Sequence, residues 1–290
     1  MKVAGFTFIR NAVKFDYPVR EAILSILPLC DEFIVALGNS DDTTEDLIRS
    51  ISSDKMKIVR TVWDDSFREG GKTFALETDK AFRTISDDAD WCFYIQADEM
   101  LHEKYYGEVK NSMEKYLHDK SVDGLLFNYL HFYGSYDYTG DSYRWYRREI
   151  RVVRNNRKIF SYRDAQGFRK QPNEKLRVKL IDASIYHYGW VRDPRAMQAK
   201  QRSFNKFYHT DTWIDDHIAR ADEFDYSAID ALRRFDGTHP KVMAERIEAT
   251  NWKFDHDLSK NHFGLKDKVK RFAEKYTGWR PGEYRNYKIV

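Results

Sequence analysis

Two hydrophobic periods alternate through the first hundred residues, and this alternation constrains the fold more than any other feature of the chain. The run "KVAGFTFI" is short and apolar, "VREAILSILPLC" places Val19, Ala22, Ile23, Ile26 and Leu27 on one helical stripe, and "EFIVAL" is a second apolar run. Polar "GNSDDT" leads to helical "TEDLIRSI", strand-like "MKIVRTV", helical "KTFALETDKAFRTI" and strand-like "WCFYIQ". Strand and helix signals joined by short connections specify an α/β fold with a parallel sheet. Open sheets of this kind bind ligands beyond the carboxyl ends of their strands. The segments "RNA", "GNSDD", "WDDSFREGGK" and "QADE" fall there.

Singly, each of these loops has an ordinary reading. Asp41 and Asp42 cap the helix that follows and complement its dipole, Gly70 and Gly71 make a turn, and Arg10 is a surface residue. Together they collect Arg10, Lys72, Asp41, Asp42, Asp98 and Glu99 at one sheet edge, which solvated loops have no reason to do. The adjacent carboxylates Asp98 and Glu99 end an apolar strand, where they repel each other unless something positive lies between them. A carboxylate pair suits Mg²⁺ or Mn²⁺, which complete their shells with water and phosphate oxygens, so a divalent metal carrying a nucleotide diphosphate is the expected cation. The chain has no "GxxxxGK[ST]" and no "GxGxxG" after a strand, so the P-loop and dinucleotide fingerprints are both missing.

Composition bounds the remaining choices. With 290 residues, 42% of them hydrophobic, the chain buries either one large domain with appendages or two small ones. A formal charge of +3 on a surface of mixed sign argues against a nucleic-acid partner. Cys30 and Cys92 lie in apolar runs and read as buried free thiols of a reducing compartment. The N-terminal segment is polar too soon for a signal peptide, and no apolar run approaches the ~20 residues of a membrane span, so the expected location is cytoplasmic.

The ordered series "FTFIRNAVKFDYPVREAILSILPLCDEFIVALGNSDDTTEDLI" and "WCFYIQADEMLH" resembles glycosyltransferase family 2, the inverting nucleotide-sugar transferases of the GT-A fold. The resemblance covers roughly the first hundred residues. It implies a Rossmann-like, mainly parallel sheet flanked by helices, a nucleotide-diphosphate sugar donor, Mn²⁺ or Mg²⁺, and a glycan or lipid-linked saccharide acceptor, as in polysaccharide biosynthesis. Asp98 stands at the position that in the family takes the metal. Gln96 replaces the first Asp of that motif, and Gly38 stands near the place of a nucleotide-contacting Asp. The resemblance assigns Arg10, Asn11, Asp41, Asp42, Lys72 and Gln96 to the nucleotide side of the site. The rival readings are a metal-dependent nucleotidyltransferase or phosphohydrolase, and a catalytically silent glycan-binding relative.

The second half is rich in aromatic residues, and "FNYLHFYGSYDYTGDSYRWYRREIRVVRNN" interleaves them with Arg, Asp and His. Most such rings build the core, while a minority can line an acceptor groove. His187 in "IYHYGWVRDP" is by itself an ordinary loop or core histidine; the resemblance makes it a second metal ligand. Asp164 in "SYRDAQGFRK" is by itself a turn residue, and the resemblance makes it the base, with Glu99 as a second catalytic acid group. A catalytic domain is expected over 1–192, with a nucleotide half to about 100 and an acceptor half from 101, followed by a mainly helical extension over 193–290. Within the extension, "KDKVKRFAEKY" is a basic amphipathic helix that either packs on the body or touches a membrane, the inner face being the matching place.

Overall fold

Side-chain alternation along the first strands decides how the molecule is layered. The computed structural model describes residues 1–68, 70–218 and 220–290. It runs β1 (Val3–Ile9), α1 (Val19–Ile26), β2 (Glu32–Leu37), α2 (Thr44–Arg49), β3 (Met56–Arg60), α3 (Lys72–Thr84) and β4 (Trp91–Tyr94), the order the sequence predicts. On β2, Phe33, Val35 and Leu37 enter one core cluster while Ile34 and Ala36 enter another; on β4, Trp91 and Phe93 oppose Cys92 and Tyr94 in the same way. Helices cover both faces. Val19, Ala22, Ile23 and Ile26 of α1 complete the first cluster, and Phe74, Ala81 and Phe82 of α3 the second. Each large side chain so buried contributes about 1.5–3 kcal/mol, so the two-sided sheet needs both helical layers to be stable. Edge strand β3 has no fully buried residue.

The chain continues through β5 (Glu99–Leu101), α4 (Tyr106–Lys115), β6 (Gly124–Tyr133), β7 (Ser135–Gly140), β8 (Arg148–Arg154), β9 (Ile159–Tyr162), β10 (Gly167–Lys170) and the long β11 (Glu174–Trp190). The sheet order is β3-β2-β1-β4-β8-β6-β11-β10-β9. Pairings β3–β2, β2–β1, β1–β4 and β6–β11 are parallel, and β8 is antiparallel to both β4 and β6. The carboxyl ends of β1, β2, β4, β6 and β11 therefore share one edge.

After β11 come α5 (Pro194–Asn205), α6 (Asp211–His217), β12 (Leu232–Arg234), α7 (Ala244–Glu248), α8 (Leu265–Thr277) and β13 (Tyr287–Ile289). Pro194 opens α5, and the Asp193 side chain caps it by accepting from the Arg195 and Ala196 amides. The last strand returns to the body, where β13 pairs in parallel with the start of β11. Long irregular segments join these helices, so the extension is less helical than its sequence suggests. Both cysteines are free and buried.

Candidate active site

The first strand leaves the sheet through Asn11, whose φ of 55° turns the chain back toward the second loop. There the Asn11 amide donates to Ser40 Oγ at 3.0 Å, and Asn11 Oδ1 accepts from the Asp41 amide at 2.9 Å. Arg10 pairs with Asp65 of the loop after β3, Nη2 to Oδ2 at 3.0 Å, and its guanidinium lies over the Trp63 ring. Three loops are thus tied together. They border a cavity of about 620 Å³ lined by Arg10, Asn11, Asp41, Gln96, Asp98, Asp164 and His187, with an aromatic wall that includes Trp63, Phe74 and Phe207. Seven of the ten residues expected from sequence meet there.

The other three lie elsewhere, each for a visible reason. Asp42 ties the loop internally, accepting from the Lys14 and Thr44 amides. Lys72 begins α3 with its side chain exposed and does not line the cavity. In the same loop, Glu69 lies outside the described residues. Glu99 is fully buried: Oε1 accepts from Arg151 Nη2 at 2.7 Å and Tyr129 Oη at 2.9 Å, and Oε2 from Arg151 Nε at 2.8 Å and the Gln96 amide at 3.1 Å. With both oxygens occupied in a bidentate ion pair, Glu99 pins the loop from beneath the cavity and presents nothing to a ligand.

Asp98 faces the other way. Its Oδ2 lies 3.3 Å from Lys200 Nζ and 3.4 Å from Arg192 Nη2, and its Oδ1 lies 3.7 Å from His187 Nε2. Burial alone would raise its pKa, but the cations of Lys200 and Arg192 outweigh that and hold it down to about 2. Lys200 is itself pushed down to about 7, by burial first and by Arg192 second. Arg192 is fully buried, donates to the Phe15 carbonyl at 2.9 Å and lies 4.1 Å from the centre of the Tyr17 ring. The positive charge that adjacent carboxylates require is therefore supplied in part by the protein: Arg151 for Glu99, and Lys200 with Arg192 for Asp98.

The His187 ring is oriented by a residue with no part in the sequence reading. His131 Nε2 lies 2.8 Å from the Tyr146 carbonyl, which can only accept, so that nitrogen carries the proton. Burial pushes the His131 pKa well down, leaving its Nδ1 as an acceptor toward His187 Nδ1 at 2.9 Å. His187 then donates from Nδ1, and its own pKa is also lowered by burial. Its Nε2 lone pair consequently points at the Asp98 carboxylate, an arrangement that calls for a cation between them. Gly189 leaves the space for one, because a Cβ there would stand 2.6 Å from His187 Nε2 and 3.1 Å from Asp98 Oδ2. Among the described residues no cluster of three or more His, Cys, Asp or Glu side chains is placed to hold a metal. Asp98 and His187 fit a divalent ion only as a two-residue set completed by water and phosphate oxygens.

Asp164 stands across the cavity wall in a strained turn. Its neighbours Arg163 and Ala165 have φ of 56° and 63°, a left-handed conformation costing a non-glycine residue about 1–3 kcal/mol. Asp164 Oδ2 accepts from Tyr208 Oη at 3.2 Å. Gly71, at φ 69°, lets α3 start against this turn, since a Cβ there would come within 2.7 Å of Asp164 and Tyr208 atoms. Behind the turn, Gln166 donates to Glu149, a buried carboxyl whose pKa desolvation raises to about 8. Lys200, Arg192, His131 and Glu149 all escaped the sequence reading. The one available signal was the Arg-Asp-Pro helix start directly after the His187 strand, which brings α5 across the sheet edge.

No family model matches the chain, and no curated protein matches it. Among solved structures, it is similar to glucosyl-3-phosphoglycerate synthase from Mycobacterium tuberculosis in complex with Mn²⁺, UDP and phosphoglyceric acid, at 17% identity and a TM-score of 0.31, over 45% of this chain and 43% of that one. It is also similar to S. aureus TarS 1–349, at 11% identity and a TM-score of 0.41, over 70% and 64%. A third is 4-diphosphocytidyl-2C-methyl-D-erythritol synthase from Anaerococcus prevotii, at 10% identity and a TM-score of 0.34, over 53% and 71%. The chain spans less than half of the synthase with Mn²⁺ and UDP. By its own strand order and its parallel β-α-β wiring, with β8 reversed between β4 and β6, the chain has a Rossmann-like α/β fold with a mostly parallel central sheet.

Proposed function

We propose that the protein transfers a sugar, with inversion, from a nucleoside diphosphate to a hydroxyl of a glycan or lipid-linked saccharide. The carrying observation is the convergence of Asp98, His187, Lys200 and Arg192 at the carboxyl edge of the sheet, an arrangement suited to a diphosphate. Arg10, Asn11, Asp41 and Gln96 border the nucleotide. Asp98 and His187 would hold Mn²⁺ or Mg²⁺, which when bound neutralises the diphosphate charge. Lys200, on α5, adds to that neutralisation from the protein side. Asp164 takes the proton of the acceptor hydroxyl as its oxygen bonds to the anomeric carbon; the carbon–oxygen bond to the diphosphate breaks, and its electron pair leaves on the diphosphate. Division at 192/193 into a catalytic unit and an extension leaves Lys200 on the far side, so the extension completes the site.

The lipid-linked form of the acceptor is supported by α8. Its charged face docks on the body, Arg271 with Asp141 and Glu274 with Arg147, while Leu265, Val269, Phe272, Tyr276 and the following Trp279 are 60–83% exposed. Lys266 and Lys268 are exposed beside this apolar face, which matches an anionic bilayer. Among the described residues no helix is long and apolar enough to cross a membrane.

Product analysis tests the reaction. Incubation with a panel of nucleotide sugars, Mn²⁺ and saccharide acceptors is expected to give a glycoside plus free nucleoside diphosphate by mass spectrometry. Sugar phosphate or free sugar as the sole product would point to the phosphohydrolase or nucleotidyltransferase reading. Nucleotide binding without any product would point to a silent glycan binder.

A further inference from the structure

A second cavity, of about 550 Å³, lies between β6, β7, the start of β8 and the inner face of α8. Its wall holds six cationic side chains, Arg147, Arg148, Arg233, Arg271, Lys275 and Arg280, against two carboxylates, Asp141 and Glu274. Glu274 and Glu283 neutralise Arg147, and Asp141 neutralises Arg271. Among the described residues the other arginines have only neutral oxygens for hydrogen-bond partners: Arg148 donates to Asn128 Oδ1 at 3.2 Å, Arg233 to Thr139 Oγ1 at 3.1 Å, and Arg280 to the Ser142 carbonyl at 3.3 Å. Arg280 is only 9% exposed and its guanidinium lies 4.3 Å from the centre of the Tyr143 ring; Glu274 and Glu283 act on it without bonding to it, so an anion in the cavity would supply the direct charge partner it lacks. Tyr143, Trp145 and Tyr146 line the same wall, and the volume exceeds what a bare phosphate fills.

We propose that this cavity binds a small phosphorylated ligand, a phosphomonoester or diphosphate carrying an organic group, through Arg148, Arg233 and Arg280. Guanidinium forks match phosphate oxygens two at a time, and three of them suit a dianion better than a carboxylate. The ligand's organic part lies along the aromatic wall. Tyr146 also lines the first cavity and its carbonyl holds His131, so an occupant here presses on the support of His187 without entering the donor site. The second site does not depend on the transfer reaction.

Calorimetric titration with glucose 6-phosphate, inorganic phosphate and glucose tests it. Glucose 6-phosphate is expected to bind saturably and inorganic phosphate more weakly, while glucose does not bind. The double variant R148Q/R233Q is expected to lower glucose 6-phosphate affinity about tenfold or more with its far-ultraviolet circular dichroism and cooperative thermal unfolding retained, which certifies its fold. R233E, at an exposed position, is a second variant expected to act in the same direction. Loss of glucose 6-phosphate binding in Lys200→Gln, with no change in the arginine variants, would place the anion in the first cavity and overturn the proposal. So would equal binding of glucose, or no saturable binding of glucose 6-phosphate up to about 10 mM.

Discussion

Glu99 is held by four hydrogen bonds, while Asp98 beside it keeps Oδ1 turned toward His187; two neighbouring carboxylates thus have separate tasks. Glu99→Gln leaves the fully buried Arg151 charged and without its counter-ion, a loss of about 3–5 kcal/mol that urea unfolding would read. A change below about 1 kcal/mol would show that the pair does not pin the loop. Glu149 sets a pH dependence. Its folded pKa of about 8 stands above the ordinary 4.5, so the folded protein binds the extra proton between those values. The stability this proton contributes is fully present below 4.5 and is lost as pH rises through about 8. Glu149→Gln cannot ionise, so its stability should fall less than that of the wild type between about pH 5 and pH 9. Parallel unfolding profiles for the two proteins would contradict the assignment.

At the scale of elements, strand register explains what brings the site together. The parallel register of β6 and β11 sets His131 opposite His187, and the antiparallel register of β5 and β11 sets His187 opposite Glu99. His131→Phe removes the acceptor that fixes the His187 tautomer. It is expected to weaken Mn²⁺ binding by about 10–100-fold, measured by electron paramagnetic resonance of the free ion, with circular dichroism confirming that the variant stays folded. Unaltered Mn²⁺ affinity in the folded variant would remove His131 from the positioning role. The first four strands and three helices were legible in the sequence because their periods are local and short polar loops bound them. Asp98 was legible as a candidate because it lies in the short polar turn after β4, and His187 because it stands near the end of β11, just before the chain turns polar. Lys200 and Arg192 were not, since they reach Asp98 only by the turn from β11 into α5, a contact between residues about a hundred positions apart. The pairing of Glu99 was hidden for a related reason: adjacent carboxylates show in the sequence, but the arginine that neutralises one of them lies 52 residues on.

For the whole molecule, the sheet, the extension and α8 place the first cavity on one edge and an apolar helix face on the surface. Substituting Phe272 and Trp279 by Ser should reduce co-sedimentation with vesicles containing anionic lipid by about tenfold or more, and neutral vesicles should bind neither protein well. Equal sedimentation of variant and wild type would contradict the membrane contact. Asp98 is the proposed anchor of a metal-bound nucleoside diphosphate in the first cavity. Titration of nucleoside diphosphates into wild type and Asp98→Asn, each with and without Mn²⁺, decides the matter. Saturable, Mn²⁺-dependent binding of at least one nucleotide to the wild type, lost in the folded variant, is the expected result. The same Mn²⁺-dependent affinity in Asp98→Asn, or no nucleotide binding by the wild type, would contradict it.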